Sequence, residues 1–350
     1  MRIAQIAPLT EAVPPRLYGG TERVVSFLTE ELVGAGHEVT LFASGDSITT
    51  AQLEPVWPHA LRFDADLRDA AAAQMLLLEA VCQRADEFDV LHFHLDYWSF
   101  SLFSRQRTPF LTTLHGRLDL PEIRPIYDQF RKVPLVSISD AQRRPLPEAN
   151  FISTVHHGLP PDLLRPRIAK PEYLAFLGRI TPDKGPDTAI RIARRAGIPL
   201  KIAAKVDRVD EAYYREKIRP MIDGRHIELV GEIGDSEKSE FLSAAIAVLL
   251  PIDWPEPFGL VMIEAMACGT PVIAFNRGAV PEILEDGLTG CIVDTEPEAV
   301  EAVARAAALP RGPIRRRFEQ RFTARRMADD YLRIYQLLAG QIRPRLRVVT

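Results

Sequence analysis

The sequence predicts an α/β protein made of two doubly wound domains. Three observations lead there. Short apolar runs alternate with amphipathic stretches, the pattern of parallel sheets covered by helices on both faces. The alternation comes in two series, separated by residues 159–172, which are rich in Pro, Arg and Leu and show no clear period. The length, 350 residues, suits about two domains of ~100–200 residues each.

The first series opens with a strand at 3–7. Residues 21–35 follow as a helix: Val25, Leu28 and Leu32 recur at spacings of three and four, and Gly36 suits the stop. Strands are expected at 39–43, 90–93, 110–114, 135–138 and 151–155, with a helix at 70–84. The second series runs strand 174–177, helix 185–196 (ended by Gly197), strand 200–204, helix 211–221, strand 227–230, helix 236–244 and strand 247–250. It closes with a helix at 259–267, stopped by Gly269, and strands at 271–275 and 290–293. Residues 323–338 read as one long helix with Met327, Tyr331, Ile334, Tyr335 and Leu338 on one face. The domains are therefore drawn at 1–160 and 173–322, with 323–350 as a final helical segment and Gly158 as a natural hinge. Ligands of such folds collect at the carboxyl ends of strands, and with two domains the cleft between them is the expected site.

Composition narrows the function. With 47% hydrophobic and 26% charged residues, the chain is neither disordered nor fibrous. A formal charge of −4 gives no whole-protein attraction to nucleic acid. Cys82, Cys268 and Cys291 form neither a disulfide framework nor a metal-ligand spacing, which fits a reducing cytoplasm. The amino terminus lacks secretory features, and no apolar stretch approaches the ~20 residues of a membrane span. A cytoplasmic protein is the expectation.

Several motifs fall at strand ends. Gly19-Gly20-Thr21-Glu22 follows a Pro-rich loop and opens a helix, where N–H groups attract an anion; a plain turn with Thr21 as cap is the alternative. In Gly178-Arg179-Ile-Thr-Pro-Asp-Lys184-Gly185, two cations beside a helix start fit a diphosphate, although single basic residues are more often solvated. In Glu256-Pro-Phe-Gly-Leu-Val-Met-Ile-Glu264, two carboxylates flank a loop-to-helix junction. Glu264 stands in an apolar run, where a carboxylate must be paired or bound to hydroxyls. The N–H groups of Phe258, Gly259 and Leu260 suit a sugar or phosphate. His92, His94, His115, His156 and His157 cluster near strand ends; with Asp96 they raise a weak metal alternative. Asp64-Ala-Asp66 has a metal-like spacing but reads better as acids at a helix start. Arg311, Arg315, Arg316, Arg317, Arg321, Arg325 and Arg326 read as a solvated face that could touch anionic lipid.

Taken in order, Gly-Gly-Thr-Glu, Leu-His-Gly, Gly-Arg-Ile-Thr-Pro-Asp-Lys-Gly and Glu-Pro-Phe-Gly-Leu-Val-Met-Ile-Glu-Ala-Met-Ala-Cys-Gly-Thr-Pro resemble glycosyltransferase family 4, retaining enzymes of the GT-B fold. The likeness covers nearly the whole chain, and its opening resembles a bacterial UDP-glucose-type subgroup. It implies two Rossmann-like domains facing across a cleft, acceptor on the first and nucleotide sugar on the second. It also implies that the final helix returns to the first domain. Arg179 and Lys184 would hold the diphosphate, with Gly19 and Gly20 reaching it by their backbone. Glu256, Phe258, Gly259 and Leu260 would take the donor sugar, Glu264 the ribose, and His115 the sugar near its reacting face. Ile233 joins the donor-binding set. Fixed cations replace a metal in this scheme, so neither metal nor cofactor is expected. His156-His157-Gly158 departs from the Asn-Gly of many relatives.

The expected function is transfer of a hexose, glucose first, from UDP-glucose or a related nucleotide sugar to a hydroxyl of a small-molecule or glycan acceptor. The rivals are a nucleotide-sugar hydrolase or epimerase, and a non-catalytic binder. Acceptor contacts are expected from Glu11, Tyr18, Asp96, Tyr97, Trp98 and Arg117. Tyr97-Trp98 offers a stacking surface unless both rings are core.

Overall fold

The computed structural model describes residues 1–16, 19–64 and 66–342. The chain divides into two compact units. The first holds residues 1–138 and 143–157 and the helix Ala324–Ile342; the second holds 139–142 and 158–323.

The first unit is a seven-stranded parallel sheet: β1 (Arg2–Ile6), β2 (Glu38–Ser44), β3 (Gln52–Trp57), β4 (Val90–Phe93), β5 (Phe110–Thr113), β6 (Leu135–Ser137) and β7 (Phe151–Thr154). Its spatial order is β3-β2-β1-β4-β5-β6-β7, so the connections reverse between β1 and β4. Strand alternation covers both faces. Leu41 and Ala43 pack with Val25 of the helix Gly20–Gly34, while Phe42 joins Leu77 and Val81 of the helix Ala70–Gln83. β3 is the strand the apolar pattern does not reveal: Gln52, Glu54 and Pro55 break the run, which an edge strand tolerates.

The second unit is a six-stranded parallel sheet: β8 (Tyr173–Arg179), β9 (Leu200–Lys205), β10 (Ile227–Gly231), β11 (Ala245–Leu250), β12 (Val272–Phe275) and β13 (Gly290–Val293). Its order is β10-β9-β8-β11-β12-β13, and the reversal falls between β8 and β11. Phe176, Ile202 and Leu249 meet Ile190 and Ala193 of the helix Pro186–Ala196 and Ala299 and Val303 of the helix Glu296–Ala307 in one core.

Three expectations need correction. Residues 211–221 are not one α-helix but an α turn (Glu211–Tyr213), a π turn (Tyr214–Ile218) and a 3-10 turn (Arg219–Met221), the last containing Pro220, which has no N–H to continue a ladder. Residues 159–164 fold as part of the second unit, whereas the side chains of 165–172 are exposed. Leu159 and Leu164 are buried, Leu159 bridges Thr323, and the N–H groups of Arg165 and Arg167 donate to the Ser239 and Ser243 hydroxyls. Most of the arginine cluster is half-buried and hydrogen-bonded within the fold rather than solvated. In the helix Arg311–Arg321, Arg311 donates to the carbonyls of Ser243 and Ala245, and Arg315 to those of Pro161, Leu164 and Ala267. Arg317 and Arg321 share Glu285, and Arg326 holds the carbonyls of His156 and His157. Arg316 and Arg325 are the exposed members. No helix among the described residues is long and apolar enough to cross a membrane.

Candidate active site

In the second unit, the loops after β8 and β11 leave the sheet at its point of reversal, where an α/β sheet opens a crevice. They are tied together. The Asp253 N–H donates to the Asp183 carbonyl at 2.9 Å. Gly185 makes the close approach: its φ is 68°, and a Cβ there would lie 2.3 Å from the Pro251 carbonyl oxygen. Lys184 Nζ then sits 2.5 Å from Glu256 Oε2 and 4.8 Å from the centre of the Trp254 ring. Trp254 Nε1 donates to the same carboxylate oxygen at 3.1 Å. Both bonds fall on Oε2, which leaves Oε1 able to accept from a ligand hydroxyl. The Lys184 and Glu256 side chains are 16% and 10% exposed, so this pair is screened far less than a surface ion pair. The turn after β12 backs the loop: a Cβ on Gly278 would be 2.3 Å from the Glu256 carbonyl oxygen, and the Ala279 N–H donates to that oxygen at 2.9 Å.

Arg179 ends β8, in register with Lys205 at the end of β9. Asp207 lies between them, 3.7 Å from Arg179 Nη1 and 3.1 Å from Lys205 Nζ. Ile233 is half-buried just beyond β10, at the same edge. Phe258 is core, its ring edge-on to Phe322 and closed to a ligand. Gly259 caps the helix Leu260–Ala267. Glu264, on that helix, is 2% exposed and takes Lys238 Nζ on Oε1 at 2.9 Å; Lys238 also lies 3.3 Å from Asp235.

In the first unit, Gly19 and Gly20 start the helix Gly20–Gly34 with no side-chain cap, so Thr21 is not the cap. Glu22 is buried one turn in. Burial, with the Glu11 carboxylate adding to it, pushes its carboxyl up to about 7. Arg62 is ion-paired to Glu11. Tyr18 lies outside the described residues. Asp64 accepts from Trp57 Nε1, and Asp69 rather than Asp64 or Asp66 caps the helix Ala70–Gln83. Past β4, Asp96 holds φ at +48°, the one non-glycine residue with positive φ among those described. Tyr97 and Trp98 are 37% and 45% exposed, so these aromatics are surface, not core.

The histidines bond to one another and to their neighbours rather than converging on one point. His94 Nδ1 is 2.9 Å from His115 Nε2, and His94 Nε2 is 2.9 Å from Gln5 Oε1. His92 bonds Tyr335 and Thr113, each at 2.7 Å, and the His157 ring stacks on His115. Burial holds His92, His94 and His157 well below the usual histidine range and His115 at about 3, so all four are neutral. No group of three metal-ligating side chains is found among the described residues.

Trp254, Lys238, Lys205, Asp207 and Gln5 are among the members of these clusters that the motifs do not contain. Trp254 had a signal, two residues from Glu256 between prolines. Lys205 becomes visible only once the strand ends are placed side by side, and Lys238 only once its helix lies against that of Glu264.

These sheets, with their sites at the carboxyl edges, define the GT-B class of fold. Over residues 18–155 the chain matches the model described as Glycosyltransferase Family 4, and over 165–324 that of Glycosyl transferases group 1. The chain belongs to glycosyltransferase family 4. It is 35% identical over 190 residues to a D-inositol 3-phosphate glycosyltransferase of Saccharomonospora viridis, a match covering 47% of this chain and 42% of that protein. The chain thus spans less than half the length of the curated relatives it matches. Among solved structures it is similar to AviGT4, a glycosyltransferase involved in avilamycin A biosynthesis, with 25% identity, TM-score 0.71 and coverage of 97% and 98% of the two chains. It shares its fold with Anabaena HepE in complex with UDP-glucose, at 17% identity, TM-score 0.72 and coverage of 97% and 100%.

Proposed function

We propose that this protein is a retaining hexosyltransferase, moving a hexose from a nucleoside diphosphate sugar to an acceptor hydroxyl, with UDP-glucose the first donor to try. The observation that carries the reading is the Lys184–Glu256–Trp254 cluster, tied between two loops where the strand order reverses. An ammonium and an oriented carboxylate side by side suit a molecule with a diphosphate next to a polyol.

In this reading Lys184 and Arg179 hold the diphosphate, and the Gly19 and Gly20 backbone adds N–H groups to it. Glu256 accepts from donor-sugar hydroxyls through Oε1, beside the N–H groups of Phe258, Gly259 and Leu260. Glu264 takes the ribose hydroxyls, His115 a hydroxyl of the hexose, and Ile233 lines the nucleotide. Breaking the bond between the anomeric carbon and the diphosphate puts negative charge on the leaving oxygen. The two cations, already in place, stabilise that charge without reorganising. The acceptor oxygen attacks from the same face, and its proton passes to the departing phosphate oxygen, which keeps the anomeric configuration. Neither a metal nor a cofactor is required by this scheme.

The acceptor is a hydroxyl compound recognised by the first unit, where Tyr97 and Trp98 are exposed and Arg117, Asp96 and Glu11 are the further candidate contacts. D-inositol 3-phosphate is the first to test, from the name of the Saccharomonospora relative. The experiment incubates the protein with UDP-glucose, with and without that acceptor and a panel of sugars, and follows UDP release and product linkage by NMR. The expected result is acceptor-dependent UDP release and an α-linked product. Equal release of free glucose in both conditions would replace transfer by hydrolysis.

A further inference from the structure

Behind His115 runs a hydrogen-bonded row that ends in an amide. The amide's two ends are chemically distinct, which gives the row a direction. Gln5 stands on β1, in register with His92 of β4. Its Nε2 donates to the Tyr335 hydroxyl at 3.0 Å, and this seats Oε1 2.9 Å from His94 Nε2. A carbonyl oxygen only accepts, so His94 carries its proton on Nε2. The ring is neutral, so its Nδ1 is a lone pair. That lone pair meets His115 Nε2 at 2.9 Å, so His115 also carries its proton on Nε2. What remains on the neutral His115 ring is a lone pair on Nδ1. That atom is shielded from water and has no hydrogen-bond partner among the described residues.

We infer that Gln5, acting through His94, fixes His115 as a hydrogen-bond acceptor for a hydroxyl of the bound hexose, which makes Gln5 and Tyr335 positioning residues for the donor. The inference rests on the transferase reading above for the identity of the ligand. A lone pair at Nδ1 repels phosphate oxygens and takes a hydroxyl proton, so it sorts the sugar end of the donor from its diphosphate end. The opposite tautomer would present an N–H there and reverse that preference. A sugar hydroxyl also supplies the bond that the buried Nδ1 otherwise lacks. Tyr335 comes from the helix Ala324–Ile342, so the row couples that helix to His115.

The test is two-bond 15N–1H correlation NMR on protein labelled with 15N-histidine, recorded first without ligand and then with UDP-glucose. The expected spectrum shows His115 with unprotonated Nδ1 and protonated Nε2, and its Nδ1 resonance moves when UDP-glucose is added. Gln5→Met and Tyr335→Phe each unseat the amide. In both, His115 is expected to become a tautomer mixture, and KM for UDP-glucose to rise roughly tenfold, the worth of about one neutral hydrogen bond, with kcat little changed. Two variants guard against one failing to fold, and the wild-type spectrum stands without either. A protonated His115 Nδ1 in the wild type overturns the inference. So does a tautomer mixture in the variants with KM unmoved. The spectrum without ligand is independent of turnover, so an ordered Nδ1 lone pair in a protein that turns over no nucleotide sugar counts against the transferase reading and not against the hydrogen-bonded row.

Discussion

Replacing Lys238 by Met removes the cation that meets Glu264 while keeping much of the side-chain volume. Glu264 is 2% exposed and its side chain lies 2.9 Å from the ammonium. Taking one partner from a buried ion pair costs about 3–5 kcal/mol, because the remaining charge stays desolvated. The reverse change, Glu264→Gln, is gentler. The amide oxygen still accepts from Lys238, and Lys238 keeps Asp235 at 3.3 Å, so about 1–2 kcal/mol is expected. In a domain of this size each kcal/mol moves the melting temperature by about 2–4 °C. Lys238→Met should therefore lower the transition of the second unit by roughly 6–20 °C, and Glu264→Gln by a few degrees. Scanning calorimetry and urea titration of the full chain read both, and the double variant Lys238→Met/Glu264→Gln should cost less than the two single changes added together. Equal losses for the two single variants, or strict additivity in the double, would refute the reasoning. Loss of nucleotide affinity in Glu264→Gln with its fold intact would further tie this carboxylate to the ribose.

Other outcomes follow from the same geometry. Lys184→Ala should cut turnover of UDP-glucose by about 100-fold or more, since it removes a fixed charge at the leaving group, and steady-state kinetics check it. Adding EDTA should leave turnover unchanged, as measured by UDP release. Two pH effects oppose each other. The four buried histidines have folded pKa values below 6.5, so their stabilisation is complete above 6.5 and is lost as pH falls, by about 1.4 kcal/mol per unit for each. Glu22 is raised from 4.5 to about 7, so its stabilisation is complete below 4.5 and is lost as pH rises through 7. Four groups outweigh one, and the wild type should lose stability from pH 6.5 to 5 in urea titrations. Glu22→Gln should gain on the wild type by about 3 kcal/mol between pH 4.5 and 8; an unchanged difference would mean Glu22 titrates normally.

Most of the strands and the long helices were legible because both sheets are buried on two faces, and such strands read as continuous apolar runs. β3 escaped because its pattern, Gln-Leu-Glu-Pro-Val-Trp, is that of an edge strand with Pro55 inside it. The helices Glu296–Ala307 and Arg311–Arg321 escaped for different reasons. The first is Ala- and Glu-rich; the second carries little beyond Ile314 and Phe318 on its buried side. At the site, Glu256, Lys184 and Arg179 stood out as charged residues in motif positions at strand ends. Their partners did not. Asp207 follows a different strand from Arg179, and Lys238 lies on another helix from Glu264, so only the fold brings each pair within 4 Å. The arginines from 311 to 326 misled for the opposite reason: sequence shows a dense charge but not the carbonyls that most of them grip.

The central claim is that the loops after β8 and β11 bind a nucleoside diphosphate sugar through Lys184 and Glu256. Calorimetric titration of UDP, GDP and ADP, then of their glucose conjugates, into wild type and Lys184→Ala with EDTA present tests it most directly. The account predicts selective binding of one diphosphate and its sugar by the wild type, UDP foremost, and a loss of at least tenfold in affinity in the variant. Absence of binding by all three, or equal affinities in the two proteins, would contradict it.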